Sequence, residues 1–524
     1  LVALRVRRYP RRAIVAAMTA TTPDDTSASA PTAFTRAMIL TTLTMVTMLY
    51  AMTVTIANVS LPQMQGSLSA TTDQIALVVT FNIIATAVAT PMTGWLAARF
   101  SRRAILIWGV VGFTCASLAC GLATSLEGLV LFRVLQGAFG APLVPLSQAI
   151  VMDSYPREKQ ASAMAIFGMG VVVGPVLAPT VGGILSEMYN WRWVFFMIVP
   201  FGLTALAGVI VYIQDRSRAG ASHLDWTGFL ALSVFIASFQ FMLDQGERLD
   251  WHQSGMILLC GALAALALYI FIAHSATTER PFLNPKLLAD RNYALGLAIV
   301  FVFGMLNFTP TTLLPPLMQG VRGYPDSVIG IVLGARGVGT LIGFFLMFWA
   351  NKFDPRFLLV MGFACQAYSG WVLAHFSVDL TTWGVLWTSA LQGFGVGVIW
   401  VPLTLVTFAT LDKRNTAEAT AIFHLVRNIG SSIFISLSIT VALRTARITY
   451  SELAPNASPM NRALSMQEGM FGSWSLDDAA SLAALSQEIS RQSTMIGYLN
   501  AFHLFEWTAL AVIPLVLLVK VPRR

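Results

Sequence analysis

Three arginines, Arg133, Arg336 and Arg427, stand in stretches of sequence almost free of other charges. A guanidinium stays charged at any physiological pH, so an arginine in an apolar run needs polar partners or a water-filled cavity. Such a residue points to binding or movement of polar groups through an apolar medium. Of the 25 acidic residues, Glu506 alone lies well inside an apolar run, and His503 shares its helical face at i, i+3. Two titratable groups in contact can hold a proton near neutral pH. His424 and Arg427 have the same spacing, and Arg133 is followed by Gln136-Gly137. Arg133, Glu506, His503 and His424 are therefore the candidates for coupling to protons. None of the sequence signatures Gly-x-Ser-x-Gly, His-Glu-x-x-His or Gly-x-x-x-x-Gly-Lys-Ser/Thr is present, so serine hydrolysis, zinc proteolysis and ATP-driven pumping lack their usual residues. A membrane enzyme or a substrate sensor remains a distant alternative.

The elements that hold these residues are set by composition. The 524 residues are 56% hydrophobic and only 11% charged, less than half the roughly 25% typical of soluble domains. Such a chain cannot cover its surface with polar groups, and a bilayer is its expected solvent. Fourteen apolar segments are long enough to cross roughly 30 Å of hydrocarbon as helices: 36–59, 74–97, 104–123, 127–150, 161–184, 192–213, 226–243, 253–273, 293–317, 327–349, 357–376, 383–409, 417–441 and 499–520. Arg133 would then lie about 9 Å from the outer edge at 1.5 Å per residue, where it either snorkels outward or meets a partner. The four cysteines all fall in apolar runs without metal-ligand spacing, which implies packing.

The net charge of +8 acquires meaning from its distribution. With the amino terminus in the cytoplasm, 23 of the 33 Lys and Arg fall in cytoplasmic segments and seven outside, with the three intramembrane arginines left over. The positive-inside rule then places both termini in the cytoplasm, and no nucleic-acid partner is expected. Residues 1–35 read as a disordered cytoplasmic tail, and 442–498 as a partly helical polar loop on the outer side.

An internal repeat organises the segments. Leu135-Gln136-Gly137 with Pro145-Leu146 recurs as Leu391-Gln392-Gly393 with Pro402-Leu403, and the Gly66/Gly320 and Arg99/Lys352 pairs repeat at nearly the same offset. Two parallel six-helix halves with a site between them is a secondary-transporter plan. The divisions expected are a tail (1–35), an amino-terminal half (36–213), an inserted two-helix hairpin (214–275) and a carboxy-terminal half (276–524). The fold class is an all-α polytopic membrane protein. In the fifth segment, Gly170, Gly174, Pro175, Pro179, Gly182 and Gly183 combine small residues at four-residue spacing with two prolines. That pattern suits a hinge or a tight helix–helix seal.

These motifs resemble the major facilitator superfamily, and specifically the fourteen-helix drug:proton antiporters of the EmrB/QacA type. The resemblance rests on Arg133-x-x-Gln136-Gly137, the Gly170–Gly183 run with Ala178 in place of one glycine, and Thr55-Ile56-Ala57-Asn58. Trp191-Arg192-Trp193, Leu224-Asp225-Trp226-x-Gly228 and Ala335-Arg336-Gly337 add to it. It covers essentially residues 36–520. It implies proton-driven export of hydrophobic or amphipathic compounds across a bacterial inner membrane, with no cofactor beyond the proton gradient. The long outer loop is similar to that of Gram-negative members working with a periplasmic adaptor and an outer-membrane channel. Two departures stand out: Thr53 occupies the place of the family's helix 1 acid, and Ala98 that of an Asp after helix 2. The cavity candidates are Tyr50, Thr53, Asn58, Gln136, Phe308, Arg336, Trp400 and Arg427, which with so little acid nearby suggest a preference for anionic or neutral amphiphiles. A proton-independent exporter, or an importer of a lipid-like metabolite, is the closer alternative.

Overall fold

In lipid a backbone is satisfied internally only in helices or closed barrels, and continuous apolar runs of about 20 residues, interrupted by Gly, Pro and short polar turns, suit helices. The computed structural model describes residues 32–214, 224–278, 281–412, 416–457 and 479–519, and its long elements are all helices. In chain order they are α1 (Ala33–Ser67), α2 (Thr72–Ala89), α3 (Met92–Arg99), α4 (Arg102–Leu122), α5 (Leu126–Gly140), α6 (Leu143–Ser154) and α7 (Arg157–Met188). They continue as α8 (Trp193–Phe196), α9 (Ile198–Tyr212), α10 (Trp226–Gln245), α11 (Gly255–Thr277), α12 (Arg291–Arg322) and α13 (Asp326–Leu346). The last are α14 (Pro355–Ala374), α15 (Thr382–Phe408), α16 (Thr416–Leu453), α17 (Ala479–Ala511) and α18 (Ile513–Leu517).

Twelve candidate membrane spans occur among the described residues, or thirteen if the bent pair α2/α3 is one span. Fourteen were expected. The fifth expected segment corresponds to α7, a 32-residue helix, several of whose side chains lie outside the description. Pro91 accompanies the 50° bend between α2 and α3, whereas Pro310, Pro315 and Pro316 are carried inside a continuous α12. In the described parts of the expected outer loop 442–498, α16 continues to Leu453 and α17 begins at Ala479. Residues 458–478, and residues 1–31 of the expected tail, lie outside the described residues.

Packing follows the repeat. In the first group α1 lies along α7 and α2 along α5; in the second, α12 lies along α16 and α13 along α15. Small residues permit the close approach. A Cβ on Gly174 would come within 2.8 Å of Met52 Cγ and one on Gly182 within 2.5 Å of Ile56 Cγ1, both on α1, while Gly170 faces Thr44 there. The α10/α11 hairpin lies on α2 and α16, one helix from each group. Ala87, Leu232, Ile236 and Leu425 form its apolar contact. The two groups approach closely at the end that holds Thr32 and Val519, the first and last described residues, where Gly94 of α3 meets Glu418 of α16, and Gly168 of α7 meets Phe344 of α13.

Candidate functional site

The middle of the bundle holds two polar centres and a contact between them. In the first group Arg133 of α5 is fully buried. Its Nη1 donates to Gln136 Oε1 at 2.6 Å and its Nε to the Val78 carbonyl at 3.3 Å. Gln136 Nε2 in turn donates to Ser117 Oγ of α4 at 2.7 Å, and Asn82 Nδ2 of α2 to the Arg133 carbonyl at 2.8 Å. The guanidinium lies 5.8 Å from the Phe195 ring centroid. Arg133 thus sits inside its own group of helices, with no part of it reaching an outer surface.

The second centre repeats this with parts exchanged. Gln392 Nε2 of α15 donates to Gln366 Oε1 of α14 at 3.1 Å, and Gln366 Nε2 to the Gln392 carbonyl at 2.7 Å. Its arginine comes from α13: Arg336 Nε donates to Gln392 Oε1, and Arg336 Nη2 to both oxygens of Asn307 on α12. Gln366, Asn307 and Asn82 escaped the sequence reading. Their signal was present as single amides in apolar runs.

Arg427 and His424 lie on α16, where the two groups meet. Arg427 Nε and Nη2 donate to Asn428 Oδ1 at 3.3 and 3.0 Å, and its guanidinium stands 5.6 Å from the centroid of Trp400. Tyr50 of α1 is within electrostatic reach of both Arg427 and Arg133. Trp400 also packs on Phe303, Phe423 and His424. The i, i+3 spacing of His424 and Arg427 does not bond them to each other. His424 Nε2 instead pairs with Gln148 Oε1 of α6 at 2.6 Å, a bond between the two groups. Gln148 was missed because nothing in its local sequence distinguishes it from a packing amide. An aromatic wall beside a half-buried guanidinium can hold an amphiphile with an anionic head.

The remaining candidates are spread out. Thr53 is buried and bonds the Leu49 carbonyl of its own helix at 2.9 Å, and Phe308 is exposed on α12. Asn58, Pro179 and Gly183 lie outside the residues whose side chains are described, while Gly170, Gly174, Pro175 and Gly182 belong to α7, whose glycines face α1. His503 Nδ1 and Glu506 Oε2 pair at 3.1 Å on α17, beside His375, whose ring is 5.3 Å from that of His503. This pair packs on α14 at Gly370, apart from the Trp400 and Arg427 cluster. Two further acids make unforeseen contacts: Asp244, at the end of α10, accepts from Thr80 of α2, and Glu418 Oε1 accepts from the Asn284 N–H at 2.8 Å.

At the end away from the termini, α16 and α17 run on as a pair tied by Tyr450 and Ser486 hydroxyls at 3.0 Å. Beside them is a cleft of about 890 Å³ lined by Gln319, Arg322, Tyr450, Gln487, Ser490 and Arg491 among others. Among the described residues no cluster of His, Cys, Asp and Glu could hold a metal.

Comparison with known proteins agrees with this architecture. The Major Facilitator Superfamily model matches residues 43–435. The multidrug export protein EmrB of Escherichia coli (strain K12) is 31% identical over 92% of this chain and 94% of its own. The fatty acid resistance protein FarB of Neisseria gonorrhoeae is 32% identical over 89% and 93%, and the colistin resistance protein EmrB of Acinetobacter baumannii 28% over 72% and 74%. Among solved structures, the human organic anion transporter MFSD10 (TETRAN) superimposes with a TM-score of 0.57 at 12% identity, over 90% of this chain and 99% of that one, a likeness of fold alone. This chain is a multi-pass membrane protein that belongs to the Major Facilitator Superfamily, among relatives of the EmrB multidrug export type.

Proposed function

We propose that this protein exports hydrophobic or amphipathic compounds by proton antiport, with an internal site exposed alternately to the two sides. Membership among export proteins that include a multidrug and a fatty acid resistance protein supports export. The reading takes fourteen crossings, with α7 counted as one, in two six-helix halves (36–213 and 276–524) around the α10/α11 hairpin as an insert (214–275). It places the protein in a bacterial inner membrane with both termini in the cytoplasm, as the arginine-rich segments favour.

The observation that carries the substrate preference is Arg427. Its guanidinium lies against Trp400 and is bonded to the neutral Asn428, and among the described residues no carboxylate pairs with it. A carboxylate or other acidic head would gain a charge-assisted bond there, its tail packing among aromatic side chains. A bare cation would meet like charge in a poorly screened medium. Fatty acids, lipophilic weak acids and neutral amphiphiles are therefore the expected substrates. The test is competition on purified protein: thermal stabilisation by a lipophilic acid against an equally lipophilic monovalent cation, repeated with Thr53→Asp. The acid should stabilise the unmodified protein and the cation only the variant. Stronger stabilisation of the unmodified protein by the cation would refute the preference.

The reading also includes a periplasmic adaptor and an outer-membrane channel. At 38 residues α16 is about 57 Å long by its rise per residue, well beyond the roughly 30 Å of a bilayer core. Together with α17 and the adjoining polar cleft it offers a surface for an adaptor. Deleting 455–490 should abolish resistance in cells yet spare transport in isolated vesicles; equal loss in both would assign the segment to folding.

A further inference from the structure

The bond between Gln148 and His424 joins the two groups of helices where they close on each other. Gln148 lies six residues from the end of α6, and His424 eight residues after the start of α16, so both sit roughly 10 Å inside the end that holds Thr32 and Val519. Gln148 is completely buried and His424 nearly so, at 2% exposed. The two side chains meet at 2.6 Å through His424 Nε2 and Gln148 Oε1. An amide oxygen only accepts, so His424 Nε2 carries the hydrogen and a neutral ring presents Nδ1 as a bare acceptor.

Among the described residues that acceptor has no partner, and neither has Gln148 Nε2 or the adjacent Ser147 Oγ. A buried polar atom without a partner loses its hydration for nothing in return, so this closure holds tension that water would relieve on opening. The groups around the ring decide which form fits. Its own helix contributes Arg427 one turn on, α15 contributes the uncharged Trp400, and Phe423 stacks edge-on. On α1 the titratable neighbour is Tyr50, beyond Arg427. The acid at the start of α16, Glu418, lies six residues away, packed on Gly94 of α3 and bonded to the Asn284 N–H. Among the described residues no carboxylate bonds the ring. An imidazolium here would be a second buried cation beside Arg427, an arrangement that burial without a counter-ion penalises heavily.

We propose that Gln148 and His424 form a proton-sensitive latch between the two halves, closed with His424 neutral and released when His424 takes up a proton. It rests on the alternating-access reading above. Its role is positioning: the two residues set how readily this end opens and need not touch the exported compound. Acidification on this side would then hold the path open, and the closing half of the cycle would await departure of the proton.

The test reads opening directly and uses no substrate, so its outcome is independent of what the protein exports. In a background with Cys115, Cys120, Cys260 and Cys365 changed to Ser, Ser147→Cys places a thiol at a fully buried position beside the latch. Maleimide labelling of the folded protein in detergent is measured across pH and divided by the rate for the same thiol in unfolded protein. If the opened imidazole titrates near its ordinary value of about 6.5, the normalised rate should rise about tenfold from about pH 8 to about pH 5.5. With His424→Gln it should be flat. Gln148→Glu offers the imidazolium a counter-ion, so the trend should reverse, with acid now favouring the closed form. A flat profile in the His424 protein, equal slopes with and without His424, or an unreversed slope in Gln148→Glu would overturn the proposal.

Discussion

The two groups of helices solve one problem with the same central amide and differently placed arginines. Gln136 and Gln392 stand 256 residues apart at matching places in the repeat. In the first group the guanidinium comes from the glutamine's own helix and is sealed between α2, α4 and α5. In the second it comes from Arg336 on α13, near the repeat position of Asn82, and reaches α12 as well as α15. Ser389, at the position matching Arg133, is buried, and among the described residues its hydroxyl has no partner. A repeat thus conserves the acceptor while letting the donor move. The first centre ties α2, α4 and α5 around a fully buried arginine, whereas the second ties α12, α13, α14 and α15 and leaves its arginine partly exposed.

The difference can be broken experimentally, and the largest effect should come from the sealed centre. Arg133→Ala removes a large buried side chain and its bonds; it should destabilise the protein by about 4 kcal/mol, within the span for core truncations, read as a fall in melting temperature in detergent. Arg133→Lys replaces the planar guanidinium, whose Nε and Nη1 serve Val78 and Gln136 separately, with a single ammonium and should lose about 2 kcal/mol. A lysine variant of normal stability would show that the sealed centre needs only a charge. Arg336→Ala should lose less than Arg133→Ala, about 2 kcal/mol, because Arg336 is already partly exposed whereas Arg133 is fully buried. An equal or larger loss would erase the contrast between the centres.

Gly137→Ala tests the α2–α5 seam alone. Its Cβ would lie 2.5 Å from the Asn82 carbonyl oxygen, and forcing the helices apart should cost about 1–3 kcal/mol. Gly393→Ala does the same against the Arg336 carbonyl and should also weaken the Arg336–Gln392 bond. Comparable losses would mean that both seams are packed to the same tolerance.

The smallest effect lies outside both centres. Asp225 caps α10 through the Gly228 N–H at 3.0 Å and also accepts from His274 at 2.8 Å and the Phe282 N–H at 3.1 Å. Burial pushes its carboxyl up, but the bonds from Gly228, His274 and Phe282, with the His274 charge, outweigh it and hold the group below its ordinary range. A carboxyl lowered on folding adds stability above its unfolded value of about 3.9, and that stability disappears as pH falls through the lower folded value. Asp225→Ala should cost about 1 kcal/mol near neutrality and flatten stability against pH below about 4. An unchanged acid limb would assign that pH dependence elsewhere.

Much of this was legible in the chain. Hydropathy and the offset between Gln136 and Gln392 foretold a repeated helical bundle, and the Gly170–Gly182 spacing foretold a close helix pair, here α1 with α7. Periodicity along one helix could not say which neighbour a side chain would find. The His424–Arg427 spacing suggested a local pair, yet His424 bonds Gln148, 276 residues away. Arg133 was expected to snorkel outward or to meet a partner, and it meets Gln136 and the Val78 carbonyl, but its depth along the helix gave no hint that α2 and α4 would enclose it. Such contacts arise from tertiary packing, for which one sequence carries no local signal.

The most direct test of the central claim is transport of a fluorescent fatty acid by protein reconstituted into liposomes, with and without a pH gradient, in the unmodified protein and in Arg427→Gln. The account predicts movement against the substrate's concentration gradient that requires the pH gradient and is lost in Arg427→Gln, while that variant keeps its melting temperature. Equal transport without the gradient, or full transport by a stable Arg427→Gln protein, would contradict it.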